Sequence, residues 1–459
     1  MTELFIWPFQ ARRTRLRSGL LFTLAEADRL TAATSIRLDI RLNKGIKKPK
    51  TSGFATTFKS LSTPEFRVLW IGMFFNVASM QINIVARSWL AYDLSKSALI
   101  LGIVALARGL PQIIFSPLGG VFADRFDKRK VLIVSQSTLC VLALVNAVLV
   151  HTGVIQIWHL VAIGLVQGMV FPFTMPTRQA LIPQLVHSDD LPNALALDSA
   201  GRNFNRVIAP SIAGLLVAWH PTIAFYTIAV LYLISALSLT RLPSTPTTAD
   251  PSRTAWQQMI VGFRYMIGRR RLMILISMAF LAVVLGMPFQ QMLAVFQATV
   301  LNVGPEKLGF MYAAVGAGAL VGSLAIAYRS NDPRRRQYQL VAGVCFGIFL
   351  IPFALSHNLY LSLGMLVLLG FASETFMTIN RMMVLLNTEP KLYGRVMGTY
   401  SMTFALMPIA TLPMGALVDA IGAPKTIAGA GILLTIAILI ASLILPKMWD
   451  KDTTAAAGP

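Results

Sequence analysis

Acidic side chains are scarce in this chain: 19 Asp and Glu stand against 40 Lys and Arg in 459 residues, a formal charge of +21. Charged residues of both signs make up 13%, where a soluble domain averages about 25%. So few ions cannot cover a water-facing surface of this size, which excludes an ordinary soluble globular protein. Cysteine is also rare. Cys140 and Cys345 both fall inside apolar runs and read as packed thiols, which excludes a disulfide framework and a thiolate metal site. The five histidines (His151, His159, His187, His220 and His357) lie at run ends or in loops, and none clusters with cysteines or carboxylates in a ligand pattern. No constellation for catalysis or metal binding follows, so the expectation is a protein that is not an enzyme and holds no metal or cofactor. A Gly-Lys-Ser/Thr phosphate loop is missing too, so nothing points to nucleotide hydrolysis as an energy source.

What the chain has is apolar length. Hydrophobic residues make up 55%, in runs long enough to span a bilayer. The first six expected spans are 66–91, 98–122, 130–150, 154–177, 199–219 and 221–241. A second six follow at 271–296, 307–328, 338–356, 359–386, 395–419 and 424–446. Those around 199–219 and 359–386 carry the most polar residues. The expected fold class is all-α integral membrane, with twelve transmembrane helices in two six-helix pseudo-symmetric bundles.

The expected organisation has five parts. Residues 1–62 form a basic, disordered cytoplasmic extension, or the product of an upstream start codon; 63–241 form the N-terminal bundle and 242–270 a cytoplasmic linker. Residues 271–446 form the C-terminal bundle and 447–459 a cytoplasmic tail. The linker begins rich in Pro, Ser and Thr, turns amphipathic from Trp256 to Tyr265, and ends in Arg269, Arg270 and Arg271, a pattern suited to an anionic lipid surface. Of the alternate loops Asp124–Lys130, Arg178–Asp198, the linker, Arg329–Arg336 and Glu389–Arg395, all but the second are basic and the second opens with Arg178, while the other loops hold little charge. That asymmetry puts the basic loops and both termini in the cytoplasm of a cell membrane, the inner membrane in a bacterium. It also makes lipid, and not nucleic acid, the partner of the charge. A monomer binding a small molecule is expected.

The halves carry a weak repeat. Arg178, Pro210, Ala213 and Pro221 recur 203 residues later as Arg381, Pro413, Ala416 and Pro424. Parallel repeats of six helices place a substrate site between them.

The densest polar feature between apolar runs is the turn from Gly119 to Lys130. Gly119 and Gly120 permit close helix approach, and Asp124 stands where an acid can face the positive end of a neighbouring helix, bridged by Arg125 or Arg129. Lys128, Arg129 and Lys130 serve topology equally well. In the fifth span, Ala209, Pro210, Ala213 and Gly214 combine a helix-bending proline with small residues for helix packing. The ionisable residues at membrane depth should face a cavity or a partner. Asp198, Arg202 and Arg206 share one face of the fifth span, where Asp198 can pair with Arg202. Glu374 is the candidate proton carrier, with Arg108 or Arg381 as an alternative ion-pair partner. Arg108 is expected to bind an anionic substrate or to hold Glu374. Arg87, near a span end, is expected to snorkel.

The turn resembles the signature loop of the major facilitator superfamily over Gly120, Ala123, Asp124, Arg125, Lys128 and Arg129, departing from it at Asp127, where the pattern has Gly. The resemblance implies that this cluster locks the two halves in an outward-open state. The fifth-span segment is similar to the superfamily's antiporter motif, with Ala replacing Gly at 209 and 213. Gln167-Gly168 matches the end of a fourth-span motif, but Gly164 stands where that motif has Arg. Trp89, Tyr92, Leu101-Gly102, Arg108 to Pro111, the Asp124 loop, Pro176 to Pro183, Asn193-Ala194 and Gly394-Arg395-Val396-Met397 together resemble the enterobactin-exporter-like branch, the transmembrane secretion effectors, with Arg381, Gly394 and Arg395 as an inner-end motif of the tenth and eleventh spans. The resemblance implies the major facilitator fold and proton-coupled efflux of a small amphiphilic molecule: a siderophore, drug or metabolite. A proton-coupled uptake symporter is the alternative within transport; a non-transporting sensor or scaffold of the same fold is the alternative outside it. After the eighth span Tyr328 stands where an acid would match Asp124, so the expected latch is one-sided.

Overall fold

A computed structural model describes residues 58–244, 263–329, 332, 334–389 and 392–444, with backbone alone for 117–125, 405 and 444. Nearly all of the expected N-terminal extension, most of the linker and the tail lie outside the described residues. From Lys59 onward the chain forms one compact unit. The described helices are α1 (Pro64–Ser95), α2 (Ala98–Arg125), α3 (Lys128–His151), α4 (Ile157–Leu185), α5 (Leu191–Trp219) and α6 (Pro221–Leu239). The second half contributes α7 (Arg270–Thr299), α8 (Pro305–Tyr328), α9 (Arg335–Leu355), α10 (Leu359–Leu386), α11 (Tyr393–Ile421) and α12 (Ala423–Ile444).

Eleven of these are long and apolar enough to cross a membrane, and α10 is one of them. The exception is α5, whose first half carries Asp198, Arg202, Asn203, Asn205 and Arg206. Its 29 residues still extend about 43 Å at 1.5 Å per residue. The twelve spans expected from hydropathy therefore stand at eleven by length and composition.

Helix ends follow local chemistry. Proline occupies the first turn of α1, α5, α6 and α8, where its missing N–H costs nothing. The repeat is visible here, since Pro221 opens α6 as Pro424 opens α12. Two helices are interrupted. α7 passes through a π-turn at Ala282–Gly286 just before Pro288, with Met287 N–H donating to the Ala282 carbonyl at 3.1 Å. α11 breaks between Ala405 and Met407, just ahead of Pro408.

Successive helices run antiparallel, so one end of the bundle carries the α1–α2, α5–α6, α7–α8 and α11–α12 turns. This is the first end; the second end carries the α2–α3, α4–α5, α8–α9 and α10–α11 connections. The halves meet mainly along α5 against α8 and α2 against α11. Both seams are set by glycine opposite proline. On α8, a Cβ at Gly309 would lie 2.4 Å from the Pro210 carbonyl oxygen, and one at Gly316 would lie 2.3 Å from the Arg206 oxygen. Pro210 has no N–H to give the Arg206 carbonyl, so only a glycine on α8 can approach that free oxygen so closely. On the other seam Gly109 of α2 packs on Pro408 of α11.

Candidate functional site

A cavity of about 420 Å³ opens between the halves toward the second end. That volume lies in the range of small-molecule sites. The polar face of α5 builds one wall of it. Asp198 accepts hydrogen bonds from Arg178 Nη2 of α4 at 2.9 Å and from Arg202 Nη1 one turn on. Arg178 is 2% exposed, so its charge is tolerable only because Asp198 meets it. One turn further, Arg206 Nη1 lies 2.8 Å from Glu374 Oε2 on α10. This ion pair crosses between the halves, and its side chains are 37% and 28% exposed, so solvent reaches both. Four arginines line the cavity (Arg178, Arg202, Arg206 and Arg381) with Glu374 as the lining carboxylate. Even counting Asp198 behind them, the wall is electropositive.

The sequence-predicted residues divide clearly. Asp198, Arg206, Glu374 and Arg381 converge on this cavity, and Asp198 does meet Arg202. The partner of Glu374, however, is Arg206, and neither Arg108 nor Arg381. Arg108 lies toward the first end with its guanidinium 5.1 Å from the Phe171 ring centre. Gly394 and Arg395 open α11 and do not line the cavity. Pro210 and Gly214 meet Gly309 of α8 at the seam, Ala209 and Ala213 are buried, and none of the four lines the cavity.

Arg87 does not snorkel. It is 7% exposed, and its guanidinium donates to Gln167 Oε1 at 3.2 Å and to the Val104 and Leu160 carbonyls at 2.8 and 3.3 Å. The space it fills is the one Gly164 leaves: a Cβ there would sit 2.3 Å from Arg87 Nη2. An arginine absent from α4 at position 164 is thus replaced by one reaching across from α1 to the same Gln167. The Gly at 164 was the available signal.

At the second end, Gly120, Asp124 and Arg125 fall where only the backbone is described, so the expected gating contact lies outside the described side chains. Arg129 donates to the Thr240 carbonyl at the end of α6. Asp127 caps α3, accepting the Arg129 N–H at 3.0 Å. In the turn before α9, Asp332 accepts the Arg334 N–H and the Tyr338 hydroxyl, each at 2.8 Å. Those two donors hold the Asp332 carboxyl below its ordinary range. An acid at the N-cap accepts one of the unpaired N–H groups at a helix start, which explains Asp127 where the superfamily pattern has Gly.

The first end holds a residue that sequence reading missed. Asp419 of α11 accepts from Ser97 Oγ at 2.6 Å, Ala98 N–H at 2.7 Å and Leu99 N–H at 3.0 Å. One carboxylate thus caps the N-terminus of α2 from the opposite half. With both glycine seams tight nearby, the first end is shut while the cavity faces the second.

The chain matches the transmembrane secretion effector family over residues 55–458. It belongs to that family of major facilitator transporters. It is 24% identical over 360 residues to the staphyloferrin A transporter of Staphylococcus aureus (strain NCTC 8325 / PS 47), covering 76% of this chain and 89% of the relative. It is 25% identical over 352 residues to the enterobactin exporter EntS of Shigella boydii serotype 4 (strain Sb227), covering 74% and 81%. Among solved structures it superposes on the nucleoside transporter NupG with a TM-score of 0.69 at 15% identity, covering 82% of this chain and 98% of the other. That likeness supports the fold. The chain is therefore a multi-pass membrane protein of transporter architecture, in the branch its motifs resemble.

Proposed function

We propose that this protein exports a small amphiphilic molecule across the cell membrane by alternating access, with protons moving the other way, and that it carries out no chemistry on its cargo. The observation that carries the proposal is the Arg206–Glu374 pair, which joins the two halves at 2.8 Å inside a solvent-reached cavity. Protonating Glu374 removes its charge, frees Arg206 for an acidic cargo and releases a tie between the halves. Cargo binding to Arg206 in turn favours the protonated carboxyl. A single pair then couples three events: proton, cargo and relative movement.

Export follows from EntS, named as an exporter, and from the α5 segment at the α8 seam. The basic loops on the second end argue that this end is cytoplasmic, so the cavity faces the cytoplasm, ready to load. We take α5 as the twelfth crossing, its charged face turned to the cavity and not to lipid. The amphiphilic character rests on a second, apolar groove of about 510 Å³ between α7 and α11, lined by Phe280, Met402 and Leu406 among others. Phe280 lines that groove, while Phe289, Met292, Phe376 and Met377 are core. The protein is taken to work as a monomer.

The test is to compare small molecules inside and outside cells with and without the gene. Export predicts at least one acidic, partly apolar compound retained in the deletion strain and returned to the medium on complementation. Retention in the complemented strain instead would assign uptake.

A further inference from the structure

A second cavity, of about 190 Å³, lies on the first-end side of the path between the halves. α1 and α2 contribute Arg87, Arg108, Asn83 and Gln112; α7 and α11 contribute Gln291 and Thr411. No Asp or Glu lines it. Its two arginines differ in kind from those on α5. Arg87 is bound to an amide and two carbonyls, neutral acceptors, and its buried Nε has no hydrogen-bond partner. Arg108 has, among the described residues, a ring face as its contact and no hydrogen bond or ion pair. Two guanidinium groups at membrane depth without a counter-ion are costly, and the cost is met when an anion enters.

We propose that Arg87 and Arg108 form a binding site for the carboxylate or phenolate of an amphiphilic organic anion, reached after the α5–α10 cavity. This rests on the transport reading but names what that reading leaves open, the charge of the cargo and a second station on its path. The volume falls below the range of whole drug-sized ligands, so the site takes the acidic head of the molecule. Phe404 of α11 also lines the cavity and offers an apolar ring to an adjoining aromatic group. Because both halves line the cavity, an anion seated there touches both and reports on the shut first end.

The test uses the purified full-length chain in detergent, with 1-naphthoate as probe and the isosteric, uncharged 1-naphthamide as control. Ligand-induced thermal stabilisation gives the two affinities. The acid is expected to bind about tenfold or more tighter than the amide, the size of a charge-assisted hydrogen bond. Arg108→Gln, at a half-buried position that should tolerate it, is expected to erase that preference; Arg87→Gln should do the same if it folds. Equal binding of acid and amide by the unaltered chain would overturn the site, as would a preference untouched by Arg108→Gln. Stabilisation by sodium chloride alone to the same extent would overturn it as an organic-anion site. Failure of the transport reading looks different: the acid binds selectively, yet the deletion strain exports everything its parent does.

Discussion

The arginines on α4 and α5 and those on α1 and α2 face the same pathway under opposite conditions. Arg178, Arg202 and Arg206 each meet a carboxylate, either Asp198 or Glu374, and two of the three are a third or more exposed. Arg87 and Arg108 meet none. A paired arginine can be switched by protonating its partner; an unpaired one can be satisfied only by something that arrives. The difference teaches how one path can contain both the proposed coupling element and the proposed receptor for charge.

Substitutions that collapse this contrast should be felt in order of burial. Removing the partner of the most buried arginine has the largest effect. Asp198→Ala strands Arg178 and is expected to cost about 3–5 kcal/mol, read as a large drop in detergent unfolding temperature or as loss of folded protein. Adding a methyl group at the α5–α8 seam comes next. Gly309→Ala forces two backbones apart and is expected to cost about 1–3 kcal/mol, with transport lost more fully than stability because the seam must rock. The exposed latch at the first end comes last. Asp419→Ala removes a cap on α2 and should cost only about 1 kcal/mol, enough for a roughly fivefold population shift toward an open first end. A single cysteine at Ala91→Cys, with Cys140 and Cys345 replaced, should then be labelled faster from that side. Unchanged labelling would remove the latch from the account.

Much of this was legible in the residues, and the exceptions share a cause. Hydropathy finds helices because bilayer length is a one-dimensional property. It stumbled at α5 because a helix whose charges face a cavity has a mean hydropathy that hides its apolar back. The i, i+4 spacing is enough to pair Asp198 with Arg202, since that contact is local. Nothing in spacing points Arg178 at Asp198, Arg206 at Glu374, or Asp419 at the start of α2. These contacts join residues 20, 168 and some 320 positions apart, and depend on how helices are arranged. Arg87 was misread for a related reason: its depth suggested a span end, while the glycine that receives it lies on another helix. The Gly at 164 and the acid at 127 looked like losses from a pattern. In three dimensions each has a local explanation, a berth for Arg87 and a cap for α3.

The central claim is that Glu374 exchanges Arg206 for a proton as cargo moves. It is tested most directly by reconstituting the chain and its Glu374→Gln variant in sealed proteoliposomes, with the compound identified from the deletion strain, and imposing a pH gradient. The unaltered protein should accumulate that compound against its own gradient. The variant should lose gradient-driven accumulation while still exchanging labelled for unlabelled compound. A variant that responds to the pH gradient as the parent does would contradict the account.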